Sequence, residues 1–138
     1  VVLPAGLVAA LTGVWMAVAY PWPPGDEASL AVVRVVVGVA MTASLVLGLA
    51  AIRRRDISAH RAWMMRGYAL GLGAGTQVLT HLPWLAAGSP PLGWSRTLAM
   101  AAGWVINLAV AEVLIRRGRR PAGPQPLAPS GIVPTLAP

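Results

Sequence analysis

Four long apolar stretches divide this chain, each closed by a cluster of turn-forming or charged residues. The first, Val2 to Tyr20, carries no charge over about 19 residues, enough at 1.5 Å per residue to cross a hydrocarbon layer of ~30 Å. Pro21-Trp22-Pro23-Pro24-Gly25 then breaks the helix, and Asp26, Glu27 and Ser29 suit the start of a second one. The second stretch runs from Ser29 to Ile52, interrupted by Arg34, and ends in the short basic loop Arg53-Arg54-Arg55-Asp56. The third, from about His60 to Leu85, holds most of the polar residues and is closed by Gly88-Ser89-Pro90-Pro91. The fourth covers about Trp94 to Ile115 and ends in Arg116-Arg117-Gly118-Arg119-Arg120. The pattern predicts an all-α protein: a four-helix transmembrane bundle with short loops over residues 1–120, with spans near 2–20, 29–52, 60–85 and 94–115. Residues 121–138 are rich in proline without periodicity, and a disordered cytoplasmic tail is expected there.

Composition supports the bilayer. The chain has 138 residues, 57% hydrophobic and only 11% charged, well short of the quarter or so typical of soluble domains. The formal charge of +7 would suggest a nucleic-acid partner in a soluble protein. Here every basic residue is an arginine beside an apolar run, so lipid bilayer and anionic phospholipid headgroups are the expected partners instead. With no cysteine, disulfides, iron–sulfur clusters and thiolate metal sites are excluded. Ala17-Val18-Ala19 matches a signal-peptidase site, but no basic segment precedes it and the run is long, so a retained span is expected. With Val1 in place of Met, a fragment, a processed product or an incomplete start is expected.

Arginine placement orients the bundle. Arg53–Arg55 and the arginines after the fourth span fall on one side, which the positive-inside rule assigns to the cytoplasm. The expectation is an inner-membrane protein with both termini cytoplasmic. Trp22, Trp84 and Trp94 then form an aromatic belt at the outer boundary.

Intramembrane polar groups are costly and face the bundle interior, so they mark candidate sites. At 100° per residue, Arg66, Gly73, Gln77, Thr80, His81 and Trp84 share an arc of about 100° on the third span. Gly67, Gly71 and Gly75 form an adjacent ridge suited to close helix packing. The second span aligns Arg34, Gly38, Met41 and Gly48; the fourth aligns Arg96, Met100, Gly103 and Asn107. Two clusters follow. The outer one contains Arg34, Gln77, Thr80, His81 and Arg96. The inner one contains His60, Arg61, Trp63, Arg66, Tyr68, Asn107 and Glu112, with Arg66 or Arg116 within reach of Glu112.

Several readings of these clusters stay open. Arg34 and Arg96 either join a site or snorkel to headgroups. Arg66 and Glu112 form an ion pair or a proton relay. His60 and His81 are candidate ligands of a b-type haem; on one helix they stand about 31 Å apart, so they cannot share one iron. No P-loop, dinucleotide fingerprint, nucleophile elbow or His-Glu-x-x-His occurs, so the sequence offers no catalytic residue, metal ligand set or assigned cofactor. The leading function is a structural, accessory or ligand-binding membrane subunit. The alternatives are a haem-binding electron-transfer subunit and a small proton-conducting or transport bundle, either one as a homo-oligomer or within a larger membrane complex.

The run Arg55-Asp56-Ile57-Ser58-Ala59-His60-Arg61-Ala62-Trp63-Met64-Met65-Arg66-Gly67-Tyr68-Ala69-Leu70, followed by Trp104-Val105-Ile106-Asn107-Leu108-Ala109-Val110-Ala111-Glu112, resembles the bacterial membrane family known as domain of unknown function 2306. The resemblance covers roughly residues 6–116. It implies a multi-pass membrane protein whose four spans correspond to the C-terminal part of longer relatives with further histidine-bearing helices upstream. It carries over His60, Arg61, Trp63, Met64, Arg66, Asn107 and Glu112 without assigned chemistry. Where the family often has an arginine late in this span, Gln77 and His81 stand here, which separates the outer cluster from the family pattern.

Overall fold

The computed structural model describes residues 2–24 and 26–118; the tail expected at 121–138 lies outside them. Four helices account for nearly all of it: α1 (Val2–Ala19), α2 (Ala28–Arg53), α3 (Ile57–Ala86) and α4 (Trp94–Gly118). Leucine, valine and alanine dominate α1 and α2, and in a bilayer an apolar segment satisfies its backbone only by coiling into a helix.

The helix ends are built locally. At the end of α2, the Asp56 N–H reaches the Ala51 carbonyl and the Arg55 N–H reaches that of Ile52, a Schellman closure. Its left-handed position is occupied by Arg55, at φ 61°, where glycine is usual. Asp56 then caps α3, its Oδ1 accepting the Ala59 N–H at 2.9 Å. This cap starts α3 at Ile57, three residues before the span expected from hydropathy. The far end of α3 closes the same way through Gly88 at φ 67°, with the Ser89 N–H on the Trp84 carbonyl.

Packing is a folded row. α3 lies between α2 and α4, α4 also touches α2, and α1 packs chiefly against α2. The tightest approach is between α3 and α4. A Cβ on Gly73 would collide with the Trp104 indole, and one on Gly103 would stand 3.0 Å from the Gly73 carbonyl. The predicted glycine ridge is used unevenly. Gly67 meets Leu45 and Ser44, Gly71 has only the Met41 methyl within reach, and Gly75 has open space beside it. The reason is that α1 lies against α2 and leaves that part of α3 uncovered.

Two helices, α2 and α4, are long and apolar enough to cross a membrane on their own. Only 17% and 22% of their apolar windows are buried within the protein, so most of that surface is turned outward. α1 is apolar but shorter, and α3 is long but diluted by Arg61, Arg66 and its other polar residues. Leu11, Trp15, Val18, Leu79 and Leu85 are all exposed, whereas Leu30 is the largest side chain fully buried among the described residues.

Candidate functional site: two ionic clusters at opposite ends of the bundle

Asp26 organises one end. It sits just before α2, with its side chain 1% exposed, and holds two arginines from different helices. Arg34 of α2 donates from Nη1 to Oδ2 at 2.7 Å. Arg96 of α4 brings Nε to 2.6 Å from Oδ1. That second contact is an ion pair without hydrogen-bond alignment, which leaves both atoms formally unpaired as donor and acceptor. At 2.6 Å the Coulombic attraction persists regardless of the angle. Beside this triad, Ser29 Oγ and Thr97 Oγ1 lie 3.0 Å apart across α2 and α4. Glu27 points elsewhere: its Oε1 occupies the space a Cβ on Gly93 would need, at the start of α4.

Two of the three remaining outer residues join helices. Gln77 Nε2 donates to the Met100 carbonyl at 3.2 Å, and Thr80 Oγ1 donates to the Ala99 carbonyl at 2.7 Å. Both bonds stitch α3 to α4. His81 turns back on its own helix, with Nδ1 2.7 Å from the Gln77 carbonyl. The five expected outer residues therefore form no single constellation: Arg34 and Arg96 converge on Asp26, and Gln77, Thr80 and His81 line a separate seam.

At the opposite end, Arg66 Nε of α3 donates to Glu112 Oε1 of α4 at 2.5 Å. The guanidinium also lies over the Trp63 ring, 4.7 Å from its centroid. His60 reaches the other way, its Nδ1 2.7 Å from the Gly48 carbonyl of α2. Together these contacts tie α3 to both its neighbours. Three residues expected in this cluster lie apart from it. Tyr68 is 69% exposed. Arg61 is exposed beside a 310 Å³ hollow between the ends of α3 and α4. Asn107 pairs with Thr76 nearer the middle of the bundle, its Nδ2 donating to Oγ1 at 2.9 Å.

Residues 1–115 match the family described as predicted membrane protein, DUF2306. The chain belongs to the DUF2306 family. No curated protein and no solved structure matches it. This family assignment makes the chain a helical membrane protein, and all three ion pairs and both histidines of the DUF2306 chain lie within the matched region.

Two participants escaped the sequence reading. Asp26 had the look of a helix-start residue, yet the cap position belongs to Glu27, which makes no side-chain cap bond. The signal was present: Arg34 and Arg96 each lie near one end of a different span, and Asp26 and Glu27 are the acids beside them. Thr76, the partner of Asn107, gave no such signal, since a threonine in an apolar helix commonly bonds its own backbone. Among the described residues no three His, Cys, Asp or Glu side chains converge, so His60 and His81 stand as single-histidine positions.

Proposed function

We propose that this DUF2306 protein is a four-span inner-membrane subunit of structural or accessory role, with its arginine-rich end in the cytoplasm. The observation that carries this reading is where its intramembrane polar groups are directed. Arg34, Arg66, Gln77, Thr80, Arg96, Asn107 and Glu112 each bond another helix or the adjoining loop. Polar groups in a reaction or conduction site point at a substrate or at water, whereas these are directed at neighbouring helices. In a membrane such bonds choose helix partners and register, because apolar surface alone cannot distinguish one lipid-like neighbour from another. Two ion pairs at opposite ends therefore set the register of α4 at two heights, against α2 and against α3.

Charge reversal tests the inner clamp. Arg66→Glu and Glu112→Arg should each lower the yield of folded protein in mild detergent, and the double variant should restore much of it. Wild-type behaviour of both single variants would remove the clamp. Orientation is testable because the chain has no cysteine. Ser89→Cys should react with an impermeant maleimide in spheroplasts, and Ser58→Cys only after permeabilisation. The reverse labelling would overturn the topology.

One observation favours a second reading, a b-type haem subunit. Both histidines have Nδ1 against a backbone carbonyl, so in the neutral ring Nδ1 carries the proton and Nε2 keeps its lone pair. That is the tautomer a metal-ligating histidine adopts. An absorption spectrum of the purified protein, oxidised and then reduced with dithionite, decides between the two. A Soret band lost in His60→Ala or His81→Ala supports haem; a featureless spectrum from folded protein retains the structural reading.

A further inference from the structure

Because α1 leans chiefly on α2, the bundle keeps a lateral cleft of about 670 Å³, with α2 as its floor and α1 and α3 as its walls. That volume lies within the usual ~300–1,000 Å³ of small-molecule sites. Small residues widen it: Gly13 on α1 has open space where a Cβ would stand, and Gly71 and Ala74 line the facing wall. Nearly all of the lining is apolar. The polar exception of consequence is Arg34, grouped with Tyr20 and Trp22 at the end nearest the loop between α1 and α2.

In sum that end is neutral, two arginines against Asp26 and Glu27, but its charges are unevenly placed. Asp26 is shared by Arg34 and Arg96, which leaves the triad with one net positive charge. The second acid of the loop, Glu27, lies over Gly93 instead. Arg34 donates from Nη1 to Asp26, and among the described residues its Nη2 meets the Met100 thioether sulfur at 3.9 Å, a weak partner for a guanidinium. An arginine that lines the mouth of an apolar cleft with 29% of its side chain exposed fits an anion with an apolar tail. Arg34 lies seven residues past the Glu27 cap, about 10 Å along α2, a depth its long side chain spans to meet a headgroup.

We infer that the cleft between α1 and α3 is a binding site for one anionic phospholipid, with an acyl chain along Gly13, Gly71 and Ala74 and the phosphate on Arg34. The site prefers a headgroup with net negative charge, because a zwitterionic lipid brings its own cation to a triad that is already positive.

Native mass spectrometry of the delipidated full chain, titrated with dioleoylphosphatidylglycerol or dioleoylphosphatidylcholine, tests this. The wild type should bind one phosphatidylglycerol at least tenfold more tightly than phosphatidylcholine. Arg34→Gln leaves Asp26 paired with Arg96 alone, and should bring the preference below twofold. Gly13→Leu fills the cleft and should weaken both lipids by tenfold or more, with circular dichroism and thermal midpoint confirming an intact fold. Equal binding of the two lipids by the wild type overturns the proposal, as does a preference that survives Arg34→Gln. Recovery of a neutral lipophile, or of a dimer that protects the cleft in place of lipid, overturns it as well.

Discussion

The two ends of this bundle use the same chemistry in different surroundings. At one, the Asp26 carboxylate is 1% exposed and serves two arginines from α2 and α4. At the other, Glu112 is 35% exposed and Arg66 24%, with the guanidinium resting on Trp63. The Asp26 carboxylate has excluded competing partners and cannot substitute water for a lost one, although Arg34 and Arg96 keep 29% and 27% of their side chains exposed. The Arg66 pair keeps access to other partners and is stabilised in part by an aromatic face that mutation of the acid leaves in place. The difference teaches that burial, more than the presence of an ion pair, decides how much such a pair matters. A buried pair adds little against an apolar alternative but becomes expensive to break, whereas a partly exposed one contributes modestly either way.

The largest effect should follow from Asp26→Asn. It leaves two arginines facing each other without an anion, a loss of about 3 kcal/mol, the lower end for broken buried pairs because both arginines stay partly exposed. A lowered thermal midpoint in detergent reads it. Glu112→Gln should cost less, about 1 kcal/mol, because both partners retain solvent or headgroup access. If the two variants lost equal stability, burial would not be what ranks the clusters. Salt sharpens the contrast. Raising ionic strength from 0.1 to 1 M shortens the screening length from about 10 to 3 Å. It should narrow the gap between wild type and Glu112→Gln while leaving the Asp26→Asn gap unchanged. The smallest effect belongs to the uncharged bond between the two ends. Asn107→Ala and Thr76→Val should each cost about 0.6 kcal/mol, and the double variant no more than either alone, since both remove one interaction.

Much of this fold was legible from patterning. The four helices occur where apolar runs and proline or arginine punctuation put them, and the α3 start differs only because Asp56 proved to be a cap and not the end of a basic loop. The clusters were legible as helical faces: Arg66, Gln77 and Thr80 do lie toward α4. What the faces could not convey was membership. Tyr68 and Asn107 sit within a turn or two of cluster residues in sequence, yet one is exposed and the other pairs with Thr76. A helical projection places a side chain in angle and height, but its partner depends on the axial offset of a neighbouring helix, which no single-helix argument supplies.

The sequence by itself determined that this is a helical membrane protein, which stretches form its helices, and that arginines gather at one end. Those properties follow from transfer free energies and backbone bonding, both local to a segment. The tertiary structure alone decided that α1 would lie against α2, that Asp26 would unite Arg34 with Arg96, and that a cleft would remain beside α3. Each of these depends on close approach through small residues such as Gly38 and Gly73 and on which charges meet across helices, and both are set only when separate segments pack.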